Sequence, residues 1–520
     1  MQSNIRISRI IIPLSYLYLI IPFIVFCVSY IKNIYGIPIS LLFAYILFRI
    51  WQDYKIYNPI TFTNKGLLIA IIIVFLWVFL SGIGGFAFQN FDFNGRNAFF
   101  RDLIDYQWPV VYTRLGDSVV SESTYSFVYY FGFWLLPALI GKVTNWIFAN
   151  IFLYLYASAG IILTVILISK KMNTVLWKSA LLLIFFSGMD ILGTLFNLST
   201  YPTLWPPISH LEWWNNFQFS SSTTQLFWVF NQAIPTWICT ALILNIEDNR
   251  TKFFIWSLCF FFAPITSIGL AFIILGLILN QIKKTINSQK SRNIVPSILS
   301  NIKELISFEN IVGGVLCLII MYLFISSNRS SSLLSLVTFN TITIIKIIIF
   351  ALIDWFLIWI TIGRHQKNNI LWAIIGLFLI FSPLIKVAGT TIICERASIA
   401  PLLLLMTWCG EIIFHEKTKT SITLLVILGI GMFTPLYEIN RSIYRTVDYY
   451  FNKTSDENPI KNCIKPQLER LAFPEKPEED HPGQLLADDW CSLSTLNYEY
   501  MTPYVADISD SFFFNHLAKQ

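Results

Sequence analysis

Charge is what this sequence has least of. Of its 520 residues only 13% are Asp, Glu, Lys or Arg, while 55% are hydrophobic. Soluble domains carry roughly twice that share of charge, so a water-soluble chain of this length would lack its polar shell. The strict alternation of apolar and polar positions that marks a membrane β-barrel is missing too. Apolar stretches of roughly 17–25 residues recur instead, each enough to cross about 30 Å of hydrocarbon. In lipid a helix satisfies its own backbone, so helices are the form these stretches must take. The expected fold class is all-α membrane, a polytopic helical bundle of about 11–13 transmembrane helices. Interfacial helices in the first outer loop and a small extracytoplasmic C-terminal region complete it.

Other absences narrow the function. The eight cysteines form no CxxC and no Cys/His spacing, so no metal site is expected. Cys27, Cys239, Cys259, Cys317 and Cys409 fall in apolar stretches as packing residues. Cys463 and Cys491 lie in a hydrophilic tail and would pair in an oxidising compartment. The net charge of +6 comes from short basic clusters between spans, which gives no nucleic-acid signal. There is no internal repeat and no low-complexity tract. Arg6 and Arg9 precede an apolar run over residues 10–30 that lacks a small-residue cleavage site, as in an uncleaved first span.

Positive charge orients the spans. Arg6 and Arg9 place the N-terminus in the cytoplasm. A second span, residues 37–50, returns to a loop with Arg49, Lys55 and Lys65, and a third, 66–89, leaves again. Residues 129–143 are apolar but contain Gly132, Pro137 and Gly141. Counted as a full span, they would put Lys170 and Lys171 outside and invert every later loop. An interfacial helix on the outer face is expected there, followed by an inward span over 145–169. The inner loops become 247–252, 283–303, 364–367 and 417–419, each carrying Lys or Arg. A last span, 421–436, divides the chain into a membrane bundle, 1–439, and an extracytoplasmic region, 440–520, expected to pack over the outer mouth.

The first outer loop reads DFNGRNAFFRDLIDYQWPV over residues 92–110. Helical spacing puts Arg101 and Asp105 on one face with Asp102 beside them, while Asp92 and Arg96 open the segment. Trp108-Pro109 stops it. Carboxylates beside guanidinium groups at the bilayer surface would hold an acceptor and activate its hydroxyl; ordinary ion pairs on a solvated helix are the plain alternative.

A second loop gathers His210, Glu212, Trp213 and Trp214 before a Ser/Thr run enters a span with Asn231 and Gln232. Aromatic faces beside amides and hydroxyls suit sugar rings. An interfacial aromatic belt accounts for the tryptophans but not for the amides. A third feature is Cys394-Glu395-Arg396, with Lys386 ahead of it. Arg396 would clamp a lipid-linked phosphate, or snorkel to ordinary headgroups. Asp190, Asp354 and Glu411 stand within the hydrocarbon as functional candidates, with Glu411 placed to snorkel inward.

At these residues the chain resembles the GT-C superfamily of membrane glycosyltransferases. The likeness covers the whole chain as architecture: a multispanning bundle, an acidic first outer loop close to the membrane, and a region after the bundle. More specifically it resembles uncharacterised bacterial multispanning proteins through Arg101-Asp102-Leu103…Trp108-Pro109-Val110 and Arg396-Ala397-Ser398-Ile399. The resemblance implies a hexosyl or pentosyl transferase of the bacterial inner (plasma) membrane serving the cell envelope. Its donor would be a polyprenyl-phosphate-linked sugar, and its acceptor a glycan, lipid or protein outside the cytoplasm. Membrane lipids are the other partner implied.

By the same resemblance Asp102 would be the general base, with Asp92 and Asp105 behind it. Arg396 would take the departing phosphate, with Arg101 as the alternative. Arg96, Lys386, His210, Glu212, Trp213, Asn231 and Gln232 complete the expected substrate-binding set. No cofactor is implied; some members need a divalent cation, for which no ligand set is seen. Two rivals stand beside this reading. One is a lipid-linked oligosaccharide polymerase or ligase, which would concentrate arginines in one late outer loop. The other is a flippase or transporter without transferase activity, which would show pseudo-symmetric halves.

Overall fold

The computed structural model describes residues 5–53, 59–90, 92–112, 125–195, 217–288, 303–328, 340–387, 389–452 and 503–519, with short pieces at 114–115, 118–119, 205–207, 210–212 and 334–337. Among these, nine helices of 20–30 residues are long and apolar enough to cross a bilayer, and five shorter apolar helices accompany them. At 1.5 Å per residue, twenty residues span about 30 Å, the thickness of the hydrocarbon core. The protein is an all-α, multi-pass integral membrane bundle.

The chain opens with α1 (Ile11–Tyr30), α2 (Asn33–Gln52) and α3 (Asn64–Leu80). The last of these ends nine residues before the limit expected from hydropathy. Gly82, Gly84 and Gly85 follow it with φ of 84°, 86° and 77°, a left-handed run that only glycine adopts cheaply and that cannot continue a helix. The first loop then forms α4 (Asp92–Asp105), and α5 (Leu135–Val143) precedes α6 (Trp146–Lys171). With its leading turn, α5 amounts to the helix Gly132–Val143, about 18 Å long and too short to cross. Its Lys142 donates back to the Ile104 carbonyl, and Trp146 at the start of α6 packs on Phe100 at 5.2 Å. The chain therefore leaves α5 at the end where the first loop lies, as the charge pattern requires. Asn145 caps α6 by accepting from the amides of Ile147 and Phe148.

Next come α7 (Leu176–Phe185) and α8 (Asp190–Leu195), one span broken by an extended stretch over 186–189. Its exposed backbone is paired: Phe186 O accepts from Ser222 N, and Met189 N donates to Ile353 O. Such a break is tolerated in a membrane only where protein covers it. The π-helical turn Leu352–Phe356 opens the backbone ladder at that point.

At the centre stands α9 (Ser222–Asn245), buried at every residue from Ser222 to Ile243, with a non-helical residue at Val229. The helix Ile392–His415 is 83% buried, whereas α2 and Thr341–Gly363 are only 28% buried and form the lipid-facing rim. Lipid removes most of the hydrophobic drive between helices, so close packing and hydrogen bonds must hold them. Tyr18 and Tyr156 stack at 4.2 Å, and each hydroxyl donates to the other's carbonyl at 3.1 Å. Trp359 and Trp372 repeat the device, stacked at 4.0 Å with reciprocal 3.0 Å bonds. Gly160 lets α6 approach α9; a Cβ there would stand 2.6 Å from both Ile234 and Tyr18.

The two ends differ. At one, Ile5–Ser8 pairs with Ile60–Thr63, Arg49 meets Glu309 at 3.2 Å, Lys283 donates to Asn368 O, and His365 meets Glu416 at 2.8 Å. The loops that share basic residues in the sequence thus share one end. At the other end, Val111–Tyr112, Tyr125–Phe127 and Val505–Asp507 form a three-stranded sheet. The C-terminal stretch is anchored there by Phe513, 5.2 Å from Phe324, and by Lys519 N donating to Tyr30 O. Among the described residues the six cysteines are free; Cys463 and Cys491 lie outside them.

Candidate functional site

The N-terminal half of α9 is the spine on which the polar residues meet. Asn90 donates to Phe227 O at 2.9 Å and accepts from Asp92 N at 3.1 Å, fixing the entry to α4. An aspartate at a helix N-terminus is favourably placed. One turn on, Arg96 pairs with Asp92 at 3.0 Å and lies against the rings of Phe93 and Phe230 at 5.5 and 5.6 Å. Gln232 donates to the Tyr130 hydroxyl at 3.2 Å. Burial raises that phenol's pKa, while Tyr129, Arg396 and Arg96 lower it and Asp92 raises it. Asp92, Arg96, Tyr130, Gln232 and Arg396 therefore lie within electrostatic reach of one point.

This cluster is short of partners. Arg96 Nη1, Arg396 Nε and both amide atoms of Asn231 are buried with no hydrogen-bond partner among the described residues. Buried polar groups are normally satisfied, and each exception calls for an explanation such as a bound group. Two carboxylates remain partly open here, Asp92 at 25% side-chain exposure and Glu395, paired with Arg396 at 3.0 Å, at 28%.

The other first-loop residues are arranged differently. Asp102 is completely buried and accepts a 2.8 Å bond from Tyr112. Burial, reinforced by Asp102, holds that phenol well above its usual pKa, so it stays a donor. Arg101 and Asp105 form the anticipated i,i+4 pair at 2.8 Å, with Arg101 over Trp146 at 5.4 Å. They occupy the far end of α4, about 14 and 20 Å along the axis from Asp92. Lys386 sits apart on the strand Ile385–Val387, opposite Ser335.

A second network lies alongside; its carboxylates are fully bonded, while the buried Arg441 Nε has no hydrogen-bond partner among the described residues. His210 Nδ1 contacts Glu438 at 2.7 Å, and the other Glu438 oxygen receives Arg441 at 3.0 Å and Trp228 at 3.2 Å. Glu212 accepts from Ser221 N and Thr224 at 2.8 Å and from Gln218 at 2.9 Å. Burial pushes the Glu212 carboxyl well above its ordinary range, and Asp190 adds to this, against the bonds from Ser221 and Thr224. Gln218 O accepts from Cys394 at 3.5 Å, which joins this network to the segment bearing Arg396. Trp213 lies outside the described residues. Nearby, Asp190 accepts from Ser187 and Thr434, and the Asp354 carboxyl adjoins it. Glu411 is mostly buried close to the lysine-rich end, beside Lys171 and His415.

Tyr130, Gln218, Glu438 and Arg441 are the members that sequence reasoning passed over. Glu438 and Arg441 belong to the helix Phe433–Asn452, which runs on through the point where hydropathy falls. Their signal was the polar stripe Glu438, Arg441, Ser442, Arg445 at helical spacing. No group of three or more His, Cys, Asp or Glu converges as metal ligands among the described residues. Comparison with protein-family models, with curated proteins and with solved structures returns no match, so the chain's own residues carry the functional reading.

Proposed function

We propose that this protein is an integral membrane glycosyltransferase that moves a sugar from a polyprenyl-phosphate donor to an extracytoplasmic acceptor. The observation that supports the reading is the under-satisfied cluster of Asp92, Arg96 and Arg396 beside Tyr130 and Gln232, with the unpartnered amide of Asn231 next to Gln232 on the same helix. An open carboxylate beside buried guanidinium groups with spare donors fits the two demands of such a transfer. Asp92 takes the proton of the acceptor hydroxyl as its oxygen bonds to the anomeric carbon. The bond from that carbon to the phosphate oxygen breaks, and Arg96 and Arg396 receive the charge that develops on the lipid phosphate. Asn231 and Gln232 offer amides to the sugar. In this reading the base is Asp92 rather than Asp102, whose carboxyl is fully enclosed and whose Oδ2 accepts from Tyr112.

The test is transfer of radiolabelled sugar from a polyprenyl-phosphate donor in membranes holding wild type, Asp92→Asn or Asp102→Asn. Asp92→Asn should lose at least ~100-fold in rate at equal protein level, within the range for a general base. Asp102→Asn, adjusted for protein level, should keep most of it. Full transfer by Asp92→Asn would remove the assignment. A flippase or transporter is the second reading, favoured by the broken span at 186–189 beside Asp190 and Asp354. Movement of the intact donor across vesicles without transfer would select it.

A further inference from the structure

At the end opposite the first loop, α11 (Pro264–Ser288; it follows α10, Lys252–Phe262) delivers its last turns beside the connection at 364–369. A cavity of about 320 Å³ opens between them, lined by Lys283, Lys284, Lys367, Asn280, Asn287 and Asn369. A second, of about 220 Å³, shares Asn280, Lys284 and Asn369 and continues among Leu244, Leu277, Leu371, Leu404 and Trp408, with Lys171 at its edge. Neither cavity has a described Asp or Glu in its lining.

The walls are held in place. Asn280 donates to the Asn369 carboxamide and accepts from Ile370 N at 2.8 Å. Lys283 donates to Asn368 O at 2.8 Å. Asn369 also caps the helix Ile370–Phe381 through Leu371 N. Asn368 takes a left-handed φ of 68°, which turns the connection sharply enough to close the polar wall.

We propose that these joined cavities are a binding site for an anionic phospholipid, its phosphate among the lysines and asparagines and an acyl chain in the leucine-lined slot. Three lysines with no described carboxylate in the lining attract one anion, and the polar volume lies at the lower end of the range for small-ligand sites. The slot decides between a lipid and a soluble phosphate. An apolar slot that shares its polar wall with the anion pocket has no use for a free ion, and basic pockets between membrane helices hold lipid headgroups. This site is distinct from the proposed transfer site and stands or falls without it.

The experiment is native mass spectrometry of the detergent-purified full chain, offered phosphatidylglycerol or phosphatidylcholine in equal amounts. Wild type should retain one phosphatidylglycerol with about a ten-fold preference. Lys284→Gln should lose about five-fold of it, the worth of one lysine near a lipid phosphate, and K283Q/K284Q/K367Q should abolish it. Leu277→Trp, which fills the slot, should weaken phosphatidylglycerol retention while leaving glycerol phosphate binding unchanged. Equal retention of the two lipids by wild type, or an unchanged preference in the triple variant, would overturn the proposal. So would glycerol phosphate binding as tightly as the lipid. The lysine variants sit at the polar mouth of the lysine-rich end and Leu277→Trp inside the slot, and an unshifted gel-filtration profile verifies that each is folded.

Discussion

Two polar networks lie side by side along the same central helix, and they differ in how fully they are bonded. Around Glu438 and Glu212 the carboxylate oxygens have protein partners: His210, Arg441 and Trp228 on one, Ser221, Thr224 and Gln218 on the other. Around Arg96 and Arg396, Arg96 Nη1, Arg396 Nε and both amide atoms of Asn231 are buried without a hydrogen-bond partner among the described residues. A buried network whose carboxylates are all satisfied rigidifies what it joins. Here it ties the second loop and the Phe433–Asn452 helix to α9. The incompletely bonded one has capacity left for something else. Neither burial and charge nor a spare donor alone separates scaffold from site in this protein, since Arg441 Nε is unpartnered among the described residues too; a partly exposed carboxylate beside the spare donors does, Asp92 being 25% exposed and Glu438 0%.

The comparison breaks most visibly at Glu438. Glu438→Ala leaves His210, Arg441 and Trp228 facing an empty position, and removing one partner of a buried ion pair costs about 3–5 kcal/mol. Loss of folded protein in detergent, read as a sharply lowered thermal midpoint and yield, is expected. Arg396→Ala should do the opposite. Its midpoint stays within about 1 kcal/mol of wild type because its pair with Glu395 is partly exposed, while transfer from a lipid-linked donor collapses. Equal destabilisation by the two substitutions would erase the distinction.

Tyr112→Phe comes next. It strips the donor from the enclosed Asp102 and should cost about 1–3 kcal/mol with transfer per folded molecule unchanged. Asn231→Leu removes an unsatisfied amide and should be neutral or stabilising by up to about 1 kcal/mol while weakening donor binding. The smallest effect concerns Glu212. Its pKa is raised by burial, so its protonated form is the one the fold favours. That contribution is complete below the ordinary carboxyl range and is lost as pH climbs through the raised value. The wild-type midpoint should therefore fall on the alkaline side, and Glu212→Gln, which cannot ionise, should flatten the profile.

Much of this architecture was legible in the residues. Twenty-residue apolar runs become spans, and shared lysines and arginines predict which loops meet at one end. Pro137 and the flanking glycines mark a helix that does not cross. The site was legible in part. Arg96, Arg396, Gln232 and Asp92 were all candidates, yet residue type does not say which of three aspartates on one helix turns toward them. Asp92 and Asp102 are separated by about 1000° of helical rotation, so they face directions some 80° apart. Tyr112, from a strand formed later in the chain, is what claims Asp102. Glu438 and Arg441 were hidden because hydropathy falls just where their helix continues, and a falling hydropathy reads as a tail. The end of α3 was written plainly in Gly82, Gly84 and Gly85, which an apolar window averages away.

The most direct measurement of the central claim is the affinity of a short polyprenyl phosphate for the purified protein, compared with Arg96→Ala/Arg396→Ala. Both should carry the K283Q/K284Q/K367Q background, so that the lysine-rich end does not contribute. The account predicts binding to the Arg-containing protein that weakens by at least ~30-fold when both guanidinium groups are removed, about 2 kcal/mol, with the thermal midpoint little changed. Equal affinity in the two proteins would contradict it and leave the spare donors of Arg96 and Arg396 without a ligand.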